Sequence, residues 1–238
     1  MDRHLLLYGV TGYTGTLIAR LARQRGMTPI LGGRDDAAVA RLAAELGLSH
    51  RTFTLDDPAR VEAGLEGIDV VLHCAGPFSR TAAPMVAACL RRRAHYLDIT
   101  AEVSVFEAHA ALDAEARAAG VMILSGAGLD VVPSDCLAAH LKRRLPGATH
   151  LALGLDAPPR ISRGTVTTMI ETYYRGMVRQ EGRLVEVPAA YRTRVIDMGR
   201  GPVHGVTVPW GDVSTAFRST GIPNIEVYMA FPPAMTRA

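Results

Sequence analysis

The sequence is short of cysteine, of aromatic residues and of long apolar runs. Its 238 residues include three cysteines, and the wide spacing of Cys74, Cys89 and Cys136 fits neither a disulfide framework nor a CxxC metal pair. Aromatic residues form 5% of the chain, too few to interleave with basic residues as in nucleic-acid-binding surfaces. No run approaches the ~18 apolar residues of a membrane span. We therefore expect a cytoplasmic protein without a membrane span and without a nucleic-acid partner.

Hydrophobic residues make up 48% of the chain and occur in short segments. Apolar runs typical of buried strands alternate with segments that carry apolar residues at helical spacing. This alternation predicts an α/β fold with a doubly wound parallel sheet of the Rossmann type, whose strands are apolar because both faces are buried. The six predicted strands are Leu5–Tyr8, Thr28–Leu31, Arg51–Leu55, Asp69–Cys74, Tyr96–Ile99 and Val121–Leu124.

The pattern changes after Gly128. A predicted helix over Pro133–Leu145 and a strand over Leu151–Leu155 are followed by Thr- and Val-rich segments with strand propensity. We therefore predict a Rossmann domain over residues 1–128 and a smaller α+β domain over residues 129–238. The second domain is expected to bind the substrate or to form a homodimer.

A glycine-rich turn joins the first predicted strand to the first helix, with its glycines three residues apart. The first glycine permits a tight turn, the second lets the backbone approach a diphosphate, and the third allows close packing of helix on strand. The helix N-terminus favours the phosphate charge. The GxxGxxG spacing departs from the commoner GxGxxG, but its position is that of a dinucleotide-binding turn. The residues expected to hold the cofactor here are Gly9, Thr11, Gly12, Tyr13, Thr14 and Gly15.

The residue after the second strand indicates which dinucleotide binds. NAD-binding turns keep an acidic residue there for the ribose hydroxyls, whereas this chain has Arg34, whose guanidinium would pair with the 2′-phosphate of NADP. Asp35, one position later, keeps NAD as the alternative, and Arg34 could also be a solvated loop cation. After the fourth strand, the small residues Ala75 and Gly76, followed by Pro77, would let the ribose and nicotinamide lie against the backbone.

Polar residues near the ends of later strands are candidate proton donors. They are Tyr96, Asp98, Glu102 and Asp130. The carboxyl ends of parallel strands border the ligand crevice of such sheets, which favours a catalytic role. Asp98 and Glu102 could equally cap the helix that follows them.

The predicted helix after Gly128 and the turn before it allow two other kinds of site, a hydrolase site and a metal site. Ser134, Asp130 and His140 are close in sequence and allow a hydrolase, but there is no GxSxG elbow and Ser134 suits a helix start. Cys136 and His140 lie four residues apart without further clustered ligands. We predict no metal site, because structural zinc takes four such ligands.

Taken together, these residues resemble the saccharopine dehydrogenase-like family, specifically its NADP-binding reductases, which include trans-acting enoyl reductases of lipid biosynthesis. The resemblance implies an N-terminal Rossmann domain, a mixed-sheet second domain and a C-terminal segment that returns to the first. Family members run well beyond this length, so we expect a truncated or shortened member. The resembling segments are Tyr8–Gly15, Gly33–Arg34, Cys74–Phe78, Tyr96–Thr100, Gly128–Asp135, Gly164–Thr168 and Pro209–Asp212.

The expected function is that of an NADP-dependent oxidoreductase that reduces a small or lipid-like unsaturated substrate. The cofactor would supply the chemistry and the protein would supply position and polarity. Two alternatives stay open. One is a binding protein that senses NADP(H) without turnover, since the glycine turn supports binding alone, and the other is an amino-acid dehydrogenase.

Overall fold

The computed structural model describes residues 4–156, 175–199 and 201–230. The chain divides into two compact units. The first contains the residues up to Thr100 together with Glu107–Gly128, and the second contains Ala101–Phe106 and the chain from Leu129 onward. The segment Gly164–Thr168, which is part of the family resemblance, lies outside the described residues. So do residues 231–238, which belong to the predicted second domain. No helix in the described ranges is long and apolar enough to cross a membrane.

The first unit alternates strands and helices, with α5 beginning in the short segment that belongs to the second unit. Its elements are β1 (Leu5–Tyr8), α1 (Tyr13–Gln24), β2 (Ile30–Gly33), α2 (Asp36–Leu46), β3 (His50–Thr52), α3 (Pro58–Gly64), β4 (Val70–His73), α4 (Phe78–Arg92), β5 (His95–Asp98), α5 (Val103–Ala111), α6 (Asp113–Ala119) and β6 (Ile123–Leu124).

All six strands of this unit form one parallel sheet in the order β3-β2-β1-β4-β5-β6. The order reverses between β1 and β4, and in such sheets the ligand binds beyond the carboxyl ends of the strands at that reversal. Apolar clusters include Leu6 and Val71 on one side, and Leu7 and Leu31 on the other. Because side chains of a strand alternate between faces, both faces of the sheet are covered, which explains its nearly continuous apolar strands.

Helix boundaries differ from the sequence pattern at two places. The pattern predicts one long helix from about Val105 to Ala119 and another over Ala82–Arg93. The structure divides the first into α5 and α6 at Leu112 and begins the second at Phe78. The Leu112 N–H donates to the His109 carbonyl at 3.1 Å, so the last turn of α5 tightens and the helix does not continue. Helix α4 begins at Phe78, directly after Pro77, where proline fixes the backbone torsion without losing an intrahelical hydrogen bond.

The second unit is a mixed sheet with helices, which confirms the predicted α+β character. Strands β8 to β12 follow the order β10-β11-β12-β8-β9, and β7 lies parallel along β12. Apolar residues of the helices and of β12, including Ala138, Val213, Ile225 and Val227, share one core cluster. Its elements are α7 (Val132–Arg144), β7 (His150–Asp156), β8 (Arg175–Gln180), β9 (Arg183–Pro188), β10 (Thr193–Asp197), β11 (Pro202–Thr207), α8 (Asp212–Thr220) and β12 (Asn224–Ala230).

Candidate functional site

The glycine turn brings the end of β1 against the end of β4. Gly9 has a φ of +90°, and a Cβ there would lie 2.7 Å from the Ala75 nitrogen. A Cβ on Gly15 would lie 2.3 Å from the Gly9 carbonyl oxygen. Only a residue without a side chain fits at either position, because the nearest atoms in the way belong to the backbone. The two loops and the first turn of α1 therefore form one closely packed backbone surface.

The N-terminus of α1 is open to an anion. Gly12 precedes the helix, no side chain caps it, and the first turn contains no acidic residue. Thr16 Oγ1 donates to the Val10 carbonyl at 2.7 Å and so ties the helix to the turn. Thr11, Gly12 and Tyr13 are exposed. Uncapped N–H groups and the positive end of the helix dipole suit a diphosphate.

The end of β2 is followed by a cation, and the acidic residue after it caps a helix. Arg34 is exposed directly after the strand. The Gly9 N–H donates to the Gly32 carbonyl at 2.8 Å, which places the end of β2 beside the glycine turn. The Asp35 carboxylate accepts the Ala38 N–H at 3.1 Å as the N-cap of α2. Because Asp35 caps a helix, Arg34 is the charged group available for a ribose phosphate.

The loop after β4 is held by a hydrogen bond from the helix that follows it. Thr81 Oγ1 donates to the Ala75 carbonyl at 2.6 Å and lies 3.1 Å from the Pro77 carbonyl. Gly76 between them is exposed. The structure thus brings Ala75 next to Gly9, as expected for residues that would line one nucleotide site, and the residues present fit a dinucleotide.

Tyr96 and Asp98 form a buried network at the end of β5. The Tyr96 hydroxyl donates to Asp98 Oδ2 at 2.9 Å, and the backbone N–H groups of Thr100 and Gly126 donate to Oδ1 at 3.0 and 2.9 Å. Both side chains are fully buried. Burial raises the pKa of Asp98, and burial followed by the charge of Asp98 raises the pKa of Tyr96 well above its usual value. These hydrogen bonds connect the residues that follow β5 with those that follow β6.

Two histidines complete this region, and sequence reasoning missed both. His109 Nδ1 lies 2.5 Å from Ser125 Oγ and 3.8 Å from Asp98 Oδ2. His73 is fully buried, and neither ring nitrogen has a hydrogen-bond partner among the described residues. Burial and, secondly, His109 lower the pKa of His73 to about 3, so its ring is neutral. The sequence signal that could have indicated His73 was its position at the end of the apolar strand β4.

Glu102 and Asp130, the other candidate proton donors, belong to the second unit. The Glu102 carbonyl accepts the Val105 N–H at 3.0 Å, so this residue lies where α5 begins. Asp130 lies in the turn before α7, and both of its carboxylate oxygens are buried without a hydrogen-bond partner in the described chain. Asp212, the first residue of α8, has the same property and was not predicted.

The alternatives on α7 find little support. The Ser134 hydroxyl donates to the Val131 carbonyl at 3.0 Å, as expected of a residue at a helix start. Cys136 is an exposed free thiol. Among the described residues, no group of three or more His, Cys, Asp or Glu side chains could hold a metal ion.

The family model of the saccharopine dehydrogenase NADP-binding domain matches residues 5–124, a range that includes the glycine turn and Arg34. The chain belongs to this family. The match confirms the predicted family and the NADP cofactor, and it ends where β6 ends.

Two curated relatives are named trans-acting enoyl reductase. A trans-acting enoyl reductase from Mycobacterium leprae is 34% identical over 59% of this chain and 36% of its own length. One from Mycobacterium ulcerans is 29% identical over 79% of this chain and 49% of its own length. The chain therefore matches half or less of each relative. Saccharopine dehydrogenase (L-Glu forming) from Saccharomyces cerevisiae shares the fold, with a TM-score of 0.67 and 16% identity over 96% of this chain and 55% of the yeast chain.

Proposed function

We propose that the protein is an NADPH-dependent reductase of a small or lipid-like substrate with a carbon–carbon double bond. The observation that carries this proposal is the uncapped N-terminus of α1 beside an exposed Arg34, with Asp35 engaged as a helix cap. Together with the family's NADP-binding domain, this arrangement supports NADPH over NADH.

Each part of the nucleotide would have its own residues. The backbone from Gly9 to Gly15 would hold the diphosphate, and Arg34 would hold the 2′-phosphate. Ala75 and Gly76 would lie against the ribose and nicotinamide. When bound, NADPH supplies a hydride, and the protein contributes binding, orientation and a proton.

The substrate class is proposed from the relatives. Proteins named trans-acting enoyl reductase match most of the chain, and an enoyl group is a polarised double bond that accepts hydride at one carbon and a proton at its neighbour. We therefore propose that the substrate carries an enoyl group. An amino-acid dehydrogenase is the second candidate, and it draws support from the fold shared with saccharopine dehydrogenase.

Titration with each nucleotide tests the cofactor assignment. Arg34→Asp should weaken NADPH binding about 10- to 100-fold, since a hydrogen bond to a charged group contributes ~1.5–3 kcal/mol. NADH binding should stay unchanged or improve. Arg41→Asp makes the same charge change on an exposed position of α2 and should leave the preference intact. An unaltered NADPH preference in Arg34→Asp would remove the role of this residue.

Turnover separates a reductase from a nucleotide sensor. With an enoyl thioester added, the absorbance of NADPH should fall and saturated product should form. NADPH binding without oxidation, across enoyl thioesters and imino acids, would instead support the sensing alternative.

A further inference from the structure

Helix α7 of the second unit carries leucine side chains on its outer face. Leu137 is 54% exposed, Leu141 is 46% exposed, and Leu145, directly after the helix, is 65% exposed. Leu137 and Leu141 are four residues apart, so their side chains are neighbours on one face. Ala138, on a different face, is fully buried in the core of the second unit. The helix is therefore held to its own unit by one side and exposes leucines on another.

The same part of the chain has positive charges and no acidic residue. The segment Cys136–Leu155 contains Lys142, Arg143 and Arg144 but neither Asp nor Glu. Arg143 and Arg144 are exposed. Arg144 comes three residues after Leu141, so the two side chains are neighbours on the helix. Cations in the last turn suit the helix dipole, but the dipole does not account for the exposed leucines beside them.

Lys142 fixes the end of the helix to the loop that follows it. Its Nζ donates to the Pro146 and Ala148 carbonyls at 2.7 and 2.8 Å. The Leu145 N–H donates to the Leu141 carbonyl at 2.9 Å, so Leu145 continues the row of leucines by one more turn. We call the resulting surface the basic leucine face, and it consists of Leu137, Leu141, Arg143, Arg144 and Leu145.

Helix α1 also has exposed leucines, but the charge beside them is balanced. Leu17 and Leu21 are 50% and 46% exposed. Arg20, which precedes Leu21, pairs with Glu45 of α2 at 2.7 Å. The basic leucine face differs from this surface because its arginines lie in a segment without acidic residues.

We propose that the basic leucine face binds the surface of an anionic lipid membrane. The leucine side chains enter the boundary between headgroups and acyl chains, and the arginines pair with lipid phosphates, as in amphipathic helices that lie along a membrane. Arg144 extends its guanidinium to the headgroups while its methylene groups stay beside the leucines. The contact is peripheral, and the helix lies parallel to the membrane.

Charge and composition favour a lipid surface over a protein partner. A two-fold contact with a second copy would bring this face against itself, and the copy's face would offer no acidic residue to the arginines. The cores of protein interfaces are enriched in aromatic residues, and the segment Cys136–Leu155 contains no Phe, Trp or Tyr. An anionic membrane presents many negative charges above an apolar layer, which matches arginines beside leucines.

Cosedimentation with lipid vesicles tests the charged part of the face. The whole chain should bind vesicles that contain phosphatidylglycerol more tightly than vesicles of phosphatidylcholine alone, and added salt should weaken this binding. Arg144→Gln should weaken it about fivefold, the contribution of one basic residue near an anionic surface. Arg41→Gln, at an exposed position of α2, should leave it unchanged. Equal binding by the two variants would overturn the role of the arginines.

Leu141→Ser tests the apolar part of the face. It should weaken binding to the phosphatidylglycerol vesicles about 3- to 10-fold, because part of a leucine side chain no longer leaves water. Leu21→Ser removes a leucine of the same 46% exposure from α1 and should leave vesicle binding intact. Circular dichroism and the urea midpoint of each variant establish that it is folded. Equal vesicle binding by the two folded variants would overturn the proposal.

Cys136 gives a direct probe of the surface that meets the lipid. It is an exposed free thiol on α7, whereas Cys89 is buried and Cys74 is partly buried. A polarity-sensitive fluorophore attached to Cys136 should shift its emission to shorter wavelength when phosphatidylglycerol vesicles are added. Vesicle binding without this shift would overturn the proposal, because another surface would then contact the lipid.

The absence of any vesicle binding would also overturn the proposal. If the chain is then a dimer that Leu141→Ser dissociates in sedimentation experiments, the face pairs with a second copy instead. None of these measurements uses NADPH or a substrate, so they stand or fall separately from the reductase function.

Discussion

At the scale of single residues, His73 is the least expected feature of the first unit. Its ring is surrounded by other rings, with centroids 5.5 Å from Tyr8, 5.4 Å from Phe78 and 6.1 Å from Tyr96. A neutral imidazole in this setting acts as an aromatic side chain with two unsatisfied polar atoms. Its presence makes the stability of the first unit sensitive to acid.

The sign of that sensitivity follows from proton binding. Unfolded His73 binds a proton below its ordinary pKa of 6.5, whereas in the folded chain its pKa is about 3. Between these values the unfolded state holds more protons, so stability falls as pH falls. From about pH 7 to about pH 5, the loss from this one residue is ~2 kcal/mol.

His73→Phe should remove this loss, because phenylalanine fills a similar space without polar atoms. The urea midpoint of the variant should fall less between the two pH values than that of the unaltered chain. His140→Phe, at an exposed position, should keep the original pH dependence. Equal pH slopes for His73→Phe and the unaltered chain would contradict the neutral, buried state of the ring.

Gly15→Ala tests the tight packing of the glycine turn. The added methyl group would meet the Gly9 carbonyl, the Gly9 carbonyl carbon and Val10 Cα, and such overpacking costs about 1–3 kcal/mol. NADPH binding measured by calorimetry should be lost or weakened more than tenfold. At Gly147 a Cβ meets no atom within 4 Å, so Gly147→Ala should leave binding intact. Undiminished binding by Gly15→Ala would show that the turn can rearrange.

At the scale of secondary structure, local chemistry determined most of what could be predicted. The strand, glycine turn and helix over Leu5–Gln24 were predicted because their signals are contiguous in sequence. The break at Leu112 was not, because an alanine-rich segment has high helix propensity throughout. What ends α5 there is a change of hydrogen-bond pattern at His109, a residue held in place by contacts with Ser125 and Asp98.

The cap of α2 gives a prediction for Asp35. Asp35→Ala should lower the unfolding free energy by ~1 kcal/mol, the usual contribution of an N-cap, with NADPH affinity unchanged. Asp35→Asn should keep the stability, because asparagine caps as well as aspartate. Denaturant unfolding and nucleotide titration check both. A large loss of nucleotide affinity in Asp35→Asn would indicate that the Asp35 carboxylate binds the ribose, as in proteins that bind NAD.

At the scale of the whole molecule, the fold class, the family and the cofactor could be predicted from sequence, but the contacts between distant segments could not. A Cβ on Gly211 would lie 2.7 Å from Val131 Cγ1 although the two residues are far apart in sequence, and periodicity says nothing about which loops meet. The same holds for Asp98 and Gly126, whose hydrogen bond depends on the neighbouring strands β5 and β6. Such pairs require the topology of the chain.

The two units should respond to pH in opposite directions. In the first unit, burial lowers the pKa values of His73 and His109 to about 3 and 4, so both residues reduce stability on acidification. Asp98 has a raised pKa and acts in the opposite direction, but it is a single group. In the second unit, Asp130 has a raised pKa, so the folded state holds more protons and stability falls as pH rises from its ordinary pKa toward about 8.

Hydrogen exchange, corrected for intrinsic rates, tests this difference. First-unit amides should be better protected near about pH 7 than near about pH 5, and second-unit amides should be better protected near about pH 5. Parallel changes in both units would contradict this.

The close approach of Gly9 to Ala75 limits how this protein can be engineered. Because a Cβ on Gly9 would lie 2.7 Å from the Ala75 nitrogen, a replacement for the first loop must keep glycine at this position. A replacement for the loop after β4 must leave the same space beside Gly9. Arg34 is exposed outside this packed region, so under the proposed role of Arg34 a substitution there would change the nucleotide preference without disturbing the glycine turn.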